Sequence, residues 1–482
     1  MLFNTVEFAV FLPLVALLYF LFPGRWRIGL LLLASYYFYI CWRWEYILLI
    51  LAQTEINYLC GLGIGRSKTQ QRKKVLLVAA LASTLAILFF FKYVNFAADT
   101  VASFSGAIGH PWTWTKFSFL LPVGISFHTF QTLSYTIDVY RGRVAPEKHF
   151  GKFALFVSFF PLLVAGPIER AGNLLPQFAH ERKFLYGNIA IGLRLILWGL
   201  IKKMAIADRV GAAVNTVYSD PHAFPGPLLV LATFFFAIQI YCDFSGYSDI
   251  AIGAARIFGY ELMTNFRMPY FSTSLGEFWQ RWHISLSTWF RDYVYVPLGG
   301  SRVSGGRWAV NILAVFALSG LWHGASWTFV IWGAIHGTWL VAEKALSLPA
   351  ARALHFLKLS SDLWFIRGVR WLIVFTIVLC SWVFFKASSV GQALSILIGF
   401  MSLHGLTFAK TLQMGLPVFE LGLAFTSIAL LVCVDAVWCW QPAPIQKLWA
   451  RRWLRWSVCI AGFYFLIFFG VYGRVEFIYF QF

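Results

Sequence analysis

The sequence has few charged residues for its length, and this shortage narrows the class of protein. Charged residues make up 12% of the 482 residues, whereas a soluble domain carries roughly 25%. Hydrophobic residues make up 60%, with 50 Phe and 22 Trp. A soluble fold would leave much of this apolar surface in water. The composition therefore predicts a polytopic membrane protein that forms a single domain over residues 1–482.

Acidic residues are scarcer than basic ones. Lys and Arg number 39 against 20 Asp and Glu, which gives a formal net charge of +19. Such an excess can indicate nucleic-acid binding, but here the basic residues lie in short loops beside apolar runs. This placement is typical of the positive-inside rule, with some Lys and Arg remaining for an anionic ligand at the membrane face. We therefore expect the lipid bilayer as a partner and no nucleic acid.

Paired cysteines, internal repeats and long linkers are also missing from the sequence. Each of the seven cysteines lies alone in an apolar segment and none forms a CxxC pair, so we expect neither a disulfide framework nor a metal site. No repeat of the kind that marks many transporters is evident, and no Pro/Ser-rich linker separates two domains. The N-terminal segment lacks a basic lead and a small-residue cleavage site, which predicts a retained first span.

Apolar windows about 20 residues long mark the predicted membrane crossings, which number roughly ten to twelve. The window 308–342 is too long for one span, and some others are short or polar enough to be re-entrant. The loop GRSKTQQRKK at 65–74 carries five Lys or Arg, which predicts a cytoplasmic loop and an N-terminus outside the cell membrane. The windows fall near 6–22, 28–42, 46–64, 75–91, 118–138, 150–168, 189–207, 228–258, 308–342, 369–385, 390–403, 421–440 and 456–473.

Ionisable side chains interrupt the apolar segment 236–258. An ionisable group at the bilayer centre costs at least about 2.5–3.5 kcal/mol, so each is a functional candidate. The segment contains Asp243, Tyr247 and Asp249. The two aspartates are six residues apart and do not share a helical face. Two interpretations stay open: buried hydrogen-bond partners between helices, or one wall of a polar tunnel.

The segment 278–302 combines aromatic and charged residues. The pattern predicts one amphipathic helix with too many charges to cross lipid, which lies at the interface or enters part-way and ends in the turn PLGGS. Taken by itself, His283 is more often structural than functional. The residues at helical spacing are Trp282, Leu286, Trp289, Phe290 and Tyr293, and those between them are Arg281, His283, Arg291 and Asp292.

His323 lies between Gly320 and Gly324 in the overlong apolar window. That window has to break, and GLWHG is the predicted break. Irregular backbone at membrane depth is tolerated only where it is buried in protein or lines a water-filled cavity. An ordinary imidazole pKa of about 6.5 suits proton transfer near neutral pH. His323 is therefore a functional candidate on these grounds, whereas His336 and His128 are better explained by core packing.

Four motifs, in this order along the chain, resemble the membrane-bound O-acyltransferase family. They are PVGISFHTFQTLSYTIDVYRG, FFPLLVAGPIER, the run from GYSDIAIGAARIF to YVPLGGSR, and LWHGASWTFVIWGAIHG. The resemblance is strongest to bacterial alginate O-acetylation proteins and their peptidoglycan-acetylating relatives, and it is densest between 118 and 342. It implies an all-α bundle of about eleven transmembrane helices. Re-entrant and interfacial helices would surround a central funnel that is pinched where two histidines approach each other.

The resemblance also implies which residues act. The essential histidine of the family matches His323, and its second motif histidine matches His283. The aromatic tail 477–482 matches a C-terminal motif of this branch that is inserted in the bundle, and Tyr479 matches the tyrosine expected to receive the acyl group. From composition alone, the tail is better explained as a buried helix end. The expected catalytic residues are thus His323, His283 and Tyr479, and the expected substrate-binding residues are Trp282, Arg281, Asp292 and Trp322.

The reaction implied by the resemblance is an acetyl relay across the bacterial inner membrane. Acetyl-CoA would be the cytoplasmic donor, with no bound cofactor, and His323 would be the general base for the Tyr479 hydroxyl. A periplasmic acetyltransferase of the SGNH type, with a serine–histidine–aspartate site, would then transfer the acetyl group to an alginate-type exopolysaccharide. Peptidoglycan or cellulose is the alternative acceptor. Two other classes stay open: a proton-coupled transporter and a non-catalytic scaffold that recruits the partner.

Overall fold

The computed structural model describes residues 1–118, 121–164, 166–402, 407–473 and 477–480. Every regular element within these ranges is helical, which confirms the predicted all-α fold. The helices are α1 (Val6–Leu21), α2 (Gly24–Ile40), α3 (Ile47–Arg66), α4 (Gln70–Lys92), α5 (Val94–Ala107), α6 (Ile125–Tyr140), α7 (Phe150–Ser158), α8 (Ala171–Phe178), α9 (Tyr186–Leu200), α10 (Asp208–Ser219), α11 (Gly226–Ile257), α12 (Leu275–Arg281), α13 (Ile284–Phe290), α14 (Gly305–His323), α15 (Trp327–Phe356), α16 (Trp364–Lys386), α17 (Val390–Gly399), α18 (Phe408–Leu412), α19 (Val418–Trp440), α20 (Ala443–Trp449) and α21 (Arg452–Phe469).

Six segments among the described residues are helical, long and apolar enough to cross a membrane, judged by length and composition. This finding supports a multi-pass membrane protein. The total of about eleven crossings stays a prediction. The six segments are Trp44–Arg66, Gln70–Lys92, Gly226–Ile257, Trp364–Lys386, Val418–Trp440 and Arg452–Phe469, and two shorter apolar helices are Val6–Leu21 and Val390–Gly399.

The predicted span over 150–168 is wrong, because α7 ends at Ser158. Pro161 follows within three residues, and proline disfavours helical backbone in the residue before it. The amide of Phe160 instead donates a hydrogen bond to Ser35 Oγ at 3.0 Å. The apolar run therefore continues as irregular backbone inside the protein.

The predicted single helix over 278–302 is also wrong. It is split at His283, whose backbone is left-handed with φ 43° and ψ 53°. This conformation is uncommon for a residue with a side chain, and here the neighbouring backbone holds it. The amide of Ile284 donates to the Asn265 carbonyl at 2.9 Å. A π-helical segment, Arg291–Tyr295, follows α13, and the turn predicted at PLGGS is confirmed.

The chain divides into two compact units, of which the first comprises residues 1–195 and 250–263. In this unit α3 packs against α4 and α6. Buried polar side chains join these helices, since Asn57 Nδ2 donates to Thr84 Oγ1 at 3.0 Å and Thr136 Oγ1 donates to Asn57 Oδ1 at 2.8 Å. His128 of α6 is buried in the same unit.

The second unit comprises residues 196–249 and 264–482. The predicted break at GLWHG is confirmed, because α14 ends at His323 and α15 begins at Trp327. The two helices pack closely where Gly320 meets Phe329: a Cβ on Gly320 would lie 2.2 Å from the Phe329 carbonyl oxygen. Glycine at this position therefore permits the contact that holds the helix break inside the unit.

Candidate functional site

His323 is the last residue of α14 and is 3% exposed. The helix ends as Gly324 turns to an extended backbone, and Ser326 Oγ then accepts from the Thr328 amide at 3.3 Å to cap α15. Both imidazole nitrogens of His323 are buried. The helix break therefore fixes a titratable ring in the interior of the second unit.

Aromatic rings surround this imidazole. Its centroid lies 5.0 Å from that of Trp322, 5.0 Å from that of Trp332 and 5.3 Å from that of Phe385. Trp332 itself is fully buried. These three rings form an aromatic wall, which is suited to keeping water away from a reactive ester or thioester.

His283 is fully buried, and its ring centroid lies 6.4 Å from that of His323. The His283 ring also packs edge-on against Phe244 at 4.6 Å and lies 5.8 Å from Trp322. The structure thus brings together the two histidines that the family resemblance singles out, although they come from different helix ends. Their catalytic roles stay a prediction.

Asn265, which sequence reasoning missed, determines which nitrogen of His283 carries the proton. Asn265 Oδ1 accepts from the Ser285 amide at 3.2 Å and from Ser285 Oγ at 2.9 Å, so this atom has to be the carbonyl oxygen. The same oxygen lies 3.2 Å from His283 Nδ1, which therefore carries a proton and donates it. In the neutral ring, His283 Nε2 is then unprotonated and able to accept a hydrogen bond or a proton.

The aromatic tail after α21 lies in this unit as well. Phe477 and Ile478 are 0% and 1% exposed, and Ile478–Phe480 form a single 3₁₀ turn. The ring of Phe477 lies 4.7 Å from that of Tyr247 on α11. Residues 481 and 482 of the predicted tail lie outside the described residues.

The phenol of Tyr479 lies beside the imidazole of His323. Its ring centroid lies 5.6 Å from that of His323 and 4.8 Å from that of Phe244, and it stacks on Phe477 at 5.3 Å. The hydroxyl oxygen is buried. A phenol, which is a nucleophile once deprotonated, is therefore adjacent to an imidazole that is able to act as a base.

A buried charge cluster lies beside the tail. Lys203 Nζ is 2.8 Å from Asp208 Oδ1 and 2.7 Å from Asp243 Oδ1. The other oxygen of Asp243 accepts the amide hydrogen of Ile478 at 2.7 Å. Lys203 belongs to a π-helical segment, Ile201–Ala207, and π-helical turns are frequent at functional sites.

The neighbouring lysine makes a parallel pair, because Lys202 Nζ lies 2.8 Å from Asp249 Oδ2. The interpretation as a buried partner between helices is thereby confirmed for Asp243, whereas the side chain of Asp249 is 23% exposed. Gly246 lies between the two aspartates, and a Cβ there would lie 2.7 Å from the Gly199 carbonyl oxygen. The close approach at Gly246 brings α11 within reach of both lysines. The sequence signal that could have indicated these ion pairs is the two adjacent lysines in the otherwise apolar segment Ile201–Ala207.

The four expected substrate-binding residues have different surroundings. Trp322 contacts both histidine rings. Trp282 is fully buried, with its ring 5.1 Å from that of Trp382. Arg281 and Asp292 are partly exposed and pair with neighbours on their own segments, Glu277 at 2.6 Å and Arg291 at 2.8 Å.

A cavity of about 590 Å³ opens elsewhere in the second unit. His323 and Tyr479 are not among the residues that line this cavity. The lining residues are Arg209, Phe419, Glu420, Leu423, Phe468, Phe469, Gly470 and Val471.

Comparison with known proteins gives a consistent picture. The membrane-bound O-acyltransferase family matches residues 147–389. A probable alginate O-acetylase from Azotobacter vinelandii is 40% identical over 395 residues, which cover 81% of this chain and 76% of that protein. A peptidoglycan O-acetyltransferase from Helicobacter pylori is 35% identical over 445 residues, which cover 84% of this chain and 81% of that protein.

A teichoic acid D-alanyltransferase from Streptococcus thermophilus is more distant, with 28% identity over 46% of this chain and 57% of its own length. The matched region 147–389 includes His283, His323 and the aromatic wall around them. The identity to the alginate and peptidoglycan relatives extends over four fifths of the chain. The protein therefore belongs to the membrane-bound O-acyltransferase family and is an O-acyltransferase.

Proposed function

We propose that this protein is a membrane O-acetyltransferase that relays acetyl groups from cytoplasmic acetyl-CoA to a periplasmic SGNH-type acetyltransferase. The final acceptor is an alginate-type exopolysaccharide. The observation that carries the relay is the contact between the rings of His323 and Tyr479, 5.6 Å apart in the interior of the protein. The similarity to probable alginate O-acetylases supports acetyl as the group transferred and alginate as the polymer.

The first chemical step loads Tyr479. His323 accepts the phenolic proton, and the Tyr479 oxygen attacks the thioester carbonyl of acetyl-CoA. The carbon–sulfur bond breaks, the thiolate leaves and takes the proton from the imidazolium. The products are free CoA and an acetyl ester on Tyr479, so atoms and charge balance.

The second step empties Tyr479. A serine hydroxyl of the periplasmic partner attacks the acetyl ester, the acetyl group moves to that serine, and the tyrosine regains a proton. A phenol pKa of about 10 is close to the thiol pKa of about 8.5, so the phenyl ester keeps most of the transfer potential of the thioester. The aromatic wall around Tyr479 limits hydrolysis of that ester.

His283 supports the first step through its Nε2. The hydrogen bond from Nδ1 to Asn265 directs Nε2 to the side of the ring away from Asn265. His283 then orients His323 or accepts a proton from it. Trp322, which contacts both imidazoles, borders the reacting carbonyl.

Arg281 and Asp292, which are both partly exposed, would contact the donor outside the aromatic wall. A guanidinium is well matched to the phosphates of CoA, which makes Arg281 the phosphate-binding residue of the four. Asp292 would hold the adjacent Arg291 in place, given their 2.8 Å ion pair. Trp282 would support the wall from behind through its contact with Trp382.

The proposal includes one orientation in the bacterial inner membrane, which is supported by the positive-inside rule. The basic loop between α3 and α4 lies in the cytoplasm, and the N-terminus lies in the periplasm. Peptidoglycan is a second candidate acceptor, because the Helicobacter pylori peptidoglycan O-acetyltransferase matches a larger share of this chain than the alginate relatives do.

A reconstituted vesicle assay that includes the periplasmic partner and the polymer tests the proposal. Wild-type protein should consume acetyl-CoA, and His323→Ala should reduce the rate by at least about 100-fold, the usual contribution of a general base. His336→Gln is the matched control, because His336 is also fully buried but bonds to Ser381 Oγ at 2.9 Å. Unchanged polymer acetylation together with intact partner binding in His323→Ala would refute the proposal and favour a scaffold. Solute or proton flux without acetyl-CoA consumption would favour a transporter.

A further inference from the structure

The buried charge cluster of Lys203, Asp208 and Asp243 takes no part in the chemistry described above. All three residues belong to the second unit, and their side chains are 1%, 3% and 3% exposed. One ammonium group balances only one of the two carboxylates. Further hydrogen-bond donors stabilise a buried carboxylate in such a cluster.

The tail supplies such a donor. The amide of Ile478 donates to Asp243 Oδ2 at 2.7 Å, while Asp243 Oδ1 is bound to Lys203. A hydrogen bond to a charged acceptor is stronger than one between neutral groups, and it is strengthened further where water is excluded. The tail is thus attached through its backbone, one residue before the tyrosine.

We infer that Asp243, oriented by Lys203, is a positioning residue that anchors the tail backbone and so sets the register of Tyr479 against His323. This inference rests on the proposed role of Tyr479 as acyl acceptor. A 3₁₀ turn has three residues per turn, so a slip by one residue would rotate the tyrosine about a third of a turn away from the imidazole. An anchor at the adjacent amide prevents that slip.

The segment 201–209, which contains Lys203, also contacts the chain at the end of α21, ahead of the tail. The amide of Val471 donates to the Met204 carbonyl at 2.9 Å. The guanidinium of Arg209 donates to the Phe469 carbonyl. Residues 201–209 therefore contact the chain both where it leaves α21 and, through Lys203 and Asp243, where it reaches Tyr479.

The second lysine pair provides a matched control. Asp249 lies on the same helix as Asp243 and pairs with the adjacent lysine, Lys202, at 2.8 Å. Lys202 Nζ also donates to Ser245 Oγ at 2.9 Å. Asp249→Asn therefore perturbs a lysine–aspartate pair on the same helix that is partly buried and whose bonds go to Lys202 and not to the tail.

Thiol labelling of the full-length chain tests the anchor. Ile478→Cys places a thiol at the buried position whose amide Asp243 holds, and N-ethylmaleimide labelling is followed peptide by peptide by mass spectrometry. In the Ile478→Cys chain the introduced thiol should label slowly. Adding Asp243→Leu should raise its rate by about tenfold or more, the effect expected from losing a hydrogen bond to a charged group. Adding Asp243→Asn, which keeps an acceptor oxygen, should leave labelling slow.

Two native cysteines report on the fold in the same experiment. Cys242 is buried directly before Asp243, and Cys41 is exposed. If Asp243 anchors the tail, Asp243→Leu changes labelling at the introduced thiol while Cys242 stays protected, and Asp249→Asn changes neither. Equal labelling with and without Asp243→Leu would overturn the inference. A parallel rise at Cys242 would also overturn it, because the aspartate would then merely stabilise α11.

The outcome is separable from that of the proposed function. Labelling needs no acyl donor, so it reports only where the tail lies. An anchored tail in a wild-type chain that never carries acetyl on Tyr479 would refute the relay and leave the anchor standing. Acetyl on Tyr479 together with a labelling rate that Asp243→Leu does not change would refute the anchor and leave the relay standing.

Discussion

The rings of Tyr479 and His323 lie 5.6 Å apart, although one belongs to a 3₁₀ turn near the end of the chain and the other to the last residue of α14. Phe385 contacts both rings, at 6.2 Å and 5.3 Å. The phenol and the imidazole are thus held together before any donor arrives. In an acyl relay, this arrangement leaves only the thioester to be brought in.

Removal of the Tyr479 hydroxyl should abolish polymer acetylation without unfolding the protein. Tyr479→Phe keeps the stacking on Phe477 and the contact with Phe244 but has no nucleophile. We expect transfer to fall by at least about 1,000-fold, as for other covalent nucleophiles. Tyr472→Phe is the control, because Tyr472 is 62% exposed and its hydroxyl bonds to the Leu466 carbonyl. Acetylation at the wild-type rate in Tyr479→Phe would rule out the relay.

Changes at Asn265 should affect catalysis through His283. Asn265→Leu removes the oxygen that accepts from His283 Nδ1 and from both Ser285 donors. Burying these donors without an acceptor costs about 1–3 kcal/mol each, so both thermal stability and kcat should fall.

Asn265→Asp separates these two effects. It retains an acceptor oxygen for Ser285 and His283 but loses the donor to Ser248 Oγ. We expect it to recover most of the stability and part of kcat in acetyl-CoA consumption assays. Equal activity of Asn265→Leu and wild type would show that the tautomer of His283 is not needed.

Addition of a methyl group at Gly246 should separate α11 from the two lysines. The new Cβ would lie 2.7 Å from the Gly199 carbonyl and 3.3 Å from the Lys203 amide nitrogen. Overpacking of this kind costs about 1–3 kcal/mol, so Gly246→Ala should lower the thermal unfolding midpoint measured in detergent. Gly422→Ala is the control, because nothing lies within 4 Å of a Cβ at that helical glycine. A midpoint unchanged by Gly246→Ala would contradict the close packing.

The sequence predicted the helix break at His323 because no apolar run of that length crosses a membrane as one straight span. The sequence did not predict the break at His283, because the apolar spacing continues through this residue. The left-handed backbone of His283 lies beside Asn265, which is eighteen residues earlier in the chain. Local pattern contains no information about such a distant partner.

The lysine cluster was missed for a related reason. Asp243 and Asp249 do not share a face of α11, so their pattern gave no common partner. A π-helical segment presents Lys202 and Lys203 in succession, and each lysine reaches one of the aspartates. The family resemblance singled out the two histidines and the tail tyrosine, whose catalytic roles stay a prediction. The contacts that hold the tail became visible only in three dimensions.

Direct detection of the acyl-tyrosine tests the central claim. Purified wild-type chain is incubated with radioactive acetyl-CoA, quenched and digested, and the C-terminal peptide that contains Tyr479 is isolated. The account predicts a hydroxylamine-labile acetyl group on Tyr479 that does not form in His323→Ala and forms normally in His336→Gln. A polymer that becomes acetylated while this peptide stays unlabelled at every time point would contradict it.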